Sequence, residues 1–151
     1  MLRVRAAEEP DVPVIFELIG ELAEYERLRS QMVGCMEDLR RHLFAEPRYA
    51  HALVAEWHQA VAGFALYFFN YSTFLCRPGL YLEDLFVRPD YRGRGIGLNL
   101  LRTLEQRARA AGCGRFEWSV LDWNQTAIDF YREFGAQPRE GWTLYRKQLS
   151  A

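Results

Sequence analysis

The sequence predicts an α/β fold, a mixed central sheet of about six to seven strands flanked by helices, in the order β-α-α-β-β-β-α-β-α-β. Three observations carry this. Strand-like and helix-like segments alternate along the whole chain. Residues 50–71 contain two apolar runs split by a short polar turn, the second nearly continuous as a central strand requires. A turn with glycines at 93, 95 and 97 then carries a strand directly into an amphipathic helix.

Each element has its own signal. Residues 2–6 read as a first strand. Pro10 and Asp11 open a helix in which Ile15, Leu18, Ile19 and Leu22 follow three-four spacing, while Glu17, Glu21 and Glu24 form an acidic row that reads as a solvated face. A second helix spans residues 36–44, stopped before Pro47. Strands are expected over 50–57, 61–71 and 80–87. The glycine turn launches a helix from about Ile96 to Ala111, with Leu101, Leu104, Ala108 and Ala111 as its inner stripe and Gly112 as its stop. A strand over 116–121 follows, then a helix that Asn124 can cap, ending before Gly135. Residues 142–148 read as a last strand.

Bulk properties narrow the function classes. A chain of 151 residues, half apolar and a quarter charged, is expected to fold as one domain over residues 1–151. A net charge of −1 gives no basic footprint for nucleic acid. The N-terminus lacks the apolar run of a signal peptide and no stretch reaches membrane-span length, so a cytoplasmic, membrane-independent protein is expected. Cys35, Cys76 and Cys113 are far apart, with no C-x-x-C and no histidine at ligand spacing, which argues against a disulfide framework and against a metal site. Cys113 between two glycines reads as a small packed residue, with an acetyl-carrying thiolate as the alternative.

The segment 87–97, Val-Arg-Pro-Asp-Tyr-Arg-Gly-Arg-Gly-Ile-Gly, has the build of an anion-binding turn. Its glycines permit positive φ and close approach, and the unpaired N–H groups of the helix's first turn point at a ligand. Arg92 and Arg94 add positive charge. A Walker loop would need Lys-Ser/Thr after the last glycine, where Leu98-Asn99 stands. A dinucleotide fingerprint would need G-x-G-x-x-G early in a βαβ unit, not G-x-G-x-G two-thirds along the chain. Arg92-x-x-Gly95-x-Gly97 resembles the pyrophosphate-binding signature of the GNAT N-acetyltransferases, and the predicted element order resembles their fold over essentially the whole chain. The resemblance implies acetyl-CoA as co-substrate, held by Leu85, Phe86, Val87, Arg92, Gly93, Arg94, Gly95, Ile96, Gly97, Leu98 and Asn124. It also implies a strand bulge that frees a backbone N–H of Leu85, Phe86 or Val87 to polarise the thioester carbonyl.

Acetyl transfer to an amine needs a neutral amine, a polarised carbonyl and a proton for the departing thiolate. A primary ammonium titrates near 10, so roughly one molecule in a thousand is nucleophilic at pH 7 and a carboxylate must take the proton. Glu83 and Asp84 stand in an otherwise apolar strand just before the glycine turn, where uncompensated charge is costly. Glu83 is the expected base, directly or through water. The alternative is that the pair binds backbone amides or an arginine. Strand alternation sends the two side chains to opposite faces unless a bulge intervenes, so one of them is expected to address the substrate. Tyr131 on the inner face of the last helix is ordinarily a core residue. The pattern from Trp123 to Ala136 resembles the acetyltransferase segment whose tyrosine is the general acid, and this implies that role for Tyr131.

Three segments carry a narrower resemblance: residues 21–26, residues 81–84 with 91–93, and Glu140-Gly141-Trp142. Together they are similar to the spermidine/spermine (diamine) acetyltransferases. This implies an acceptor site of Tyr25, Glu26, Glu83, Asp84, Glu140 and Trp142, in which carboxylates attract cationic amines and an aromatic face flanks the aliphatic chain. It also implies a homodimer. Tyr71 is followed by Ser72-Thr73-Phe74 where polyamine-specific members carry Asp, as in relatives that resemble thialysine acetyltransferases, and Arg77 is expected beside the site. A short amine, such as a thialysine-like amino acid or a diamine, is therefore favoured over spermine. The rival readings are a protein or peptide N-acetyltransferase and a non-catalytic acyl-CoA-binding module.

Overall fold

A computed structural model describes residues 1–149. Five strands form one sheet in the order β1-β2-β3-β4-β5: β1 (Leu2–Ala6), β2 (His51–Trp57), β3 (Ala60–Ser72), β4 (Arg77–Val87) and β5 (Arg115–Trp118). The helices are α1 (Val12–Tyr25), α2 (Met36–Phe44), α3 (Ile96–Ala110) and α4 (Gln125–Glu133). The first four strands pair antiparallel in sequence order, and β5 joins β4 in parallel after the α3 crossover, so the sheet is mixed.

Burial explains the layers. Val54 of β2, Phe64 and Leu66 of β3, and Phe86 of β4 pack with Ile15, Leu18 and Leu22 of α1 and Leu43 of α2 in one apolar cluster. Strand alternation turns Leu53, Ala55 and Ala65 to the opposite face, where α3 packs and buries Leu100, Leu101, Leu104 and Ala108. Each buried leucine contributes roughly 1.5–3 kcal/mol relative to exposure. Ala111, expected on the inner stripe of α3, is exposed at the C-cap, where the helix has turned its apolar face past the sheet.

The chain forms two compact units, one from Met1 to Ser119 and the other from Val120 onward. The first holds the whole sheet with α1 to α3, and the second holds α4. The expected last strand is absent: residues 142–149 run irregularly and exposed, and the sheet has five strands rather than six or seven. Residues 142–148 include the strand-favouring Trp142, Thr143 and Tyr145, but a strand exists only with a ladder partner, and none is formed among the described residues. The β3–β4 hairpin also runs further than expected, since Pro78 pairs with Tyr71 and Arg77 with Ser72. No helix among the described residues is long and apolar enough to cross a membrane.

Candidate active site

The site begins where β4 changes its neighbours. On one side β4 pairs with β3 all the way to Val87 opposite Gly63. On the other, its ladder with β5 ends at Leu82 opposite Trp118. From Glu83 to Val87, β4 therefore has one edge with no ladder among the described residues, a row of backbone groups available to an extended ligand.

The register also slips at this point. Leu66 faces Asp84 and Tyr67 faces Leu82, which leaves Glu83 as the extra residue of a β-bulge. The bulge lies at Glu83, ahead of the Leu85–Val87 segment, whose pairing with β3 is regular. Cross-strand partners share a face, so Asp84 lies on the face of Leu66, where α1 packs. Glu83 is exposed and Asp84 part-buried.

Glu26 follows the last residue of α1 and joins these two. Asp84 is pushed up to about 7, first by burial, then by the charge of Glu83, then by that of Glu26. Glu26 is raised above the usual carboxylate range by burial and by Glu83. Strand alternation suggested that only one of Glu83 and Asp84 would address the substrate, but the bulge leaves both in one electrostatic cluster with Glu26. Among the described residues, no three His, Cys, Asp or Glu side chains converge as metal ligands. The cluster is thus a group of carboxylates in which Glu26 and Asp84 hold a proton more tightly than an ordinary carboxylate. Arg77 stands at the opposite end of β4, on the order of 20 Å along the strand from Asp84. It is not beside these carboxylates.

Past Val87, a 3-10 turn at Pro89–Tyr91 leads to the glycine turn. Gly93 and Gly95 both have φ of 78°, and Gly95 caps α3 in the left-handed conformation. Gly97 instead lies within the first turn of α3, so only two of the three glycines are required by positive φ. A Cβ at Gly93 would meet nothing within 4 Å, and one at Gly95 would meet only Asn99 Nδ2 at 3.9 Å. The turn is thus open, with the N–H groups of Ile96, Gly97 and Leu98 at the positive end of a fifteen-residue helix. That arrangement fits a pyrophosphate.

The two arginines are fastened to the protein. Arg92 Nε donates to the Val87 carbonyl at 2.9 Å, and its guanidinium lies 5.2 Å from the Tyr25 ring and 5.5 Å from the Phe86 ring. Arg94 Nη1 donates to the Asp90 carbonyl at 2.6 Å and lies 5.4 Å from the Trp57 ring.

In the second unit, Asn124 caps α4 as its sequence implies, its Oδ1 accepting from the Ala127 N–H at 3.2 Å. Tyr131 is part-buried on α4 beside Phe130, with ring centroids 5.6 Å apart. Glu140 and Trp142 are exposed in the irregular segment that follows.

The sequence profile of the acetyltransferase (GNAT) family matches residues 16–136. The chain belongs to the GNAT family. It is an N-acetyltransferase, and membership implies acetyl-CoA as co-substrate. The thialysine N-epsilon-acetyltransferase of Bos taurus is 42% identical over 95% of this chain and 90% of its own length. The L-ornithine N5-acetyltransferase of Arabidopsis thaliana is 33% identical over 95% of this chain and 83% of its own. Among solved structures, an integron cassette protein from the mobile metagenome of V. cholerae superposes with a TM-score of 0.80 at 28% identity, covering 97% of this chain and 92% of that one. An aminoglycoside acetyltransferase from a soil metagenome also reaches a TM-score of 0.80 at 19% identity, covering 99% and 97%, which extends the likeness of fold.

Sequence reasoning did not reach two features of this region. It named Glu83 as the base and placed both Glu83 and Asp84 in the acceptor set, but burial at a bulge is not visible in a linear pattern, so it did not show Asp84 to be the more buried of the two. It also read Glu17 and Glu21 as a solvated face; Glu17 is exposed, but Glu21 is half-buried and paired with Arg88, the first residue beyond β4. Their spacing with Tyr25, four and four, was the available signal.

Proposed function

We propose that this protein acetylates a small primary amine, a thialysine-like amino acid or a short diamine, by direct attack in a ternary complex with acetyl-CoA. The observation that carries the reading is the convergence of Glu26, Glu83 and Asp84 beside the unpaired edge of β4, which runs straight into the anion-binding turn. The substrates printed in the names of the bovine and Arabidopsis relatives, thialysine and ornithine, are both small amines with a primary amino group, and the cluster suits such a cation.

When bound, acetyl-CoA supplies the activated acetyl group. The N–H groups of the Gly93–Leu98 turn would hold its pyrophosphate, and the open edge from Leu85 to Val87 would align the extended arm and offer an N–H to its carbonyl. Glu26 and Glu83 receive the ammonium. Its proton passes to the Glu83–Asp84 pair, directly or through water. Asp84, held near 7, has a proton affinity that suits a base at neutral pH. Tyr131 on α4 would return a proton to the leaving sulfur, Asn124 would fix the start of that helix, and Glu140 and Trp142 would flank the acceptor. The enzyme would work in the cytoplasm as a homodimer, which sedimentation velocity would test.

The direct experiment follows CoA release with thialysine, ornithine, lysine, putrescine, spermidine, spermine and short peptides, against an acceptor-free blank for the three cysteines. Turnover confined to the amino acids and short diamines supports the reading. Turnover confined to peptides would replace it with a protein acetyltransferase. CoA binding with no turnover would favour a binding module.

A further inference from the structure

Glu17, Glu21 and Tyr25 recur every fourth residue of α1 and therefore share one face. That face meets the segment joining β4 to the glycine turn. Arg88, the first residue beyond β4, donates from Nε to both carboxylate oxygens of Glu21 at 3.3 and 3.2 Å, and from Nη2 to Oε2 at 3.0 Å. Its Nη2 also lies 3.5 Å from Glu17, and its Nη1 donates to the Val61 carbonyl at 3.2 Å. The Arg88 N–H donates to the Ala62 carbonyl at 2.8 Å. One helical turn further on, the ring of Tyr25 lies 5.2 Å from the Arg92 guanidinium.

We infer that Glu21 and Tyr25 are positioning residues for the phosphate turn, acting through Arg88 and Arg92. The inference rests on the reading that this turn holds the pyrophosphate of acetyl-CoA. The two arginines bracket the Pro89–Tyr91 turn, and the second immediately precedes Gly93, so the segment is tied at both ends to one face of α1. The helix is itself immobilised by Ile15, Leu18 and Leu22 in the core. A planar guanidinium on a carboxylate fixes orientation as well as distance. An aromatic face on the second arginine adds a contact that needs no counter-charge. Glu26 follows Tyr25 directly, so the helix end that anchors the cofactor turn also carries an acceptor carboxylate.

The test is CoA binding by isothermal titration calorimetry on intact Glu21→Gln, Tyr25→Leu, Arg88→Ala and Arg88→Lys proteins, with Gly95→Val as the turn control. Acetyl-CoA and thialysine KM values are measured alongside. Thermal melting confirms that each variant is folded. Glu21→Gln and Tyr25→Leu are each expected to weaken CoA binding about fivefold and to raise the acetyl-CoA KM in parallel, with the thialysine KM of Glu21→Gln within about twofold of wild type. Arg88→Lys should recover part of what Arg88→Ala loses. If Gly95→Val abolishes CoA binding while Glu21→Gln and Tyr25→Leu bind like wild type, the turn reading stands and the positioning role is overturned. A Tyr25→Leu protein with a raised thialysine KM and unchanged CoA binding would return Tyr25 to the acceptor site and overturn its place here. If Gly95→Val leaves CoA binding intact, the phosphate-turn reading fails and this inference falls with it.

Discussion

Asp84→Asn should stabilise the protein at high pH while impairing it as a catalyst. Burial, with Glu83 and Glu26 as neighbours, raises the Asp84 carboxyl from 3.8 to about 7. A displacement of about 3 decades corresponds to an upper bound of roughly 4 kcal/mol between the two protonation states. Asp84 keeps some solvent access, so about 1–3 kcal/mol is the reasonable expectation. The sign follows from the raised folded-state value. The folded protein binds the proton more tightly than the unfolded chain, so this contribution is complete below about 4 and is lost as pH climbs to about 7. Asparagine matches the shape of the protonated acid and does not titrate. Urea unfolding of both proteins at pH 4.5 and pH 8 should show similar midpoints in acid and a more stable variant at pH 8. Equal differences at the two pH values would refute the argument, because they would show that Asp84 titrates alike in folded and unfolded chains.

The same group sets the acid limb of activity: kcat/KM for the amine should rise through about pH 7. Glu26→Gln removes a neighbouring negative charge and should move that limb to lower pH by about half a unit, as a steady-state pH profile would show. Tyr131→Phe should lower kcat by on the order of 10²-fold or more and leave CoA affinity unchanged in calorimetry, if the tyrosine gives up its proton in turnover. Away from the site, Arg5 donates to both oxygens of Asp11 at 2.7 and 3.0 Å and holds that carboxyl below its usual range. Arg5→Ala should therefore cost about 1–3 kcal/mol near neutrality. The loss should shrink in urea titrations as pH falls through the lowered folded-state pKa of Asp11, because the wild-type advantage is present only above it.

What was legible in the sequence depended on how far each determinant reaches. The bounds of α2 and the start of α3 at Ile96 follow from signals within a few residues: an apolar period, a stop before Pro47, and a glycine that can adopt the φ of 78° seen at Gly95. The Asn124 cap is equally local. The pairing of β4 is not. Its bulge at Glu83 depends on register against Leu66 and Tyr67, and nothing in Leu82-Glu83-Asp84-Leu85 shows which residue the register skips. The expected last strand failed for a related reason, since strand-favouring residues over 142–148 describe a chain able to pair but supply no neighbour. Arg88 and Glu21, 67 positions apart, were each readable only as surface charge until the fold joined them.

The parts of the site share one structural origin. β4 stays bonded to β3 to its end but leaves β5 after Leu82, and the bulge falls on the next residue. The divergence from β5 leaves the Glu83–Val87 edge without a ladder among the described residues, while the bulge against β3 leaves Glu83 and Asp84 in electrostatic reach of Glu26, and β4 runs on into the turn that begins α3. On the proposed function, acceptor charge, the edge for an extended ligand and the anion-binding turn would be consecutive stretches of about fifteen residues, from Glu83 to Leu98. A substitution that lengthened the β4–β5 pairing would therefore damage amine binding and cofactor binding together, even if it altered no residue assigned to either.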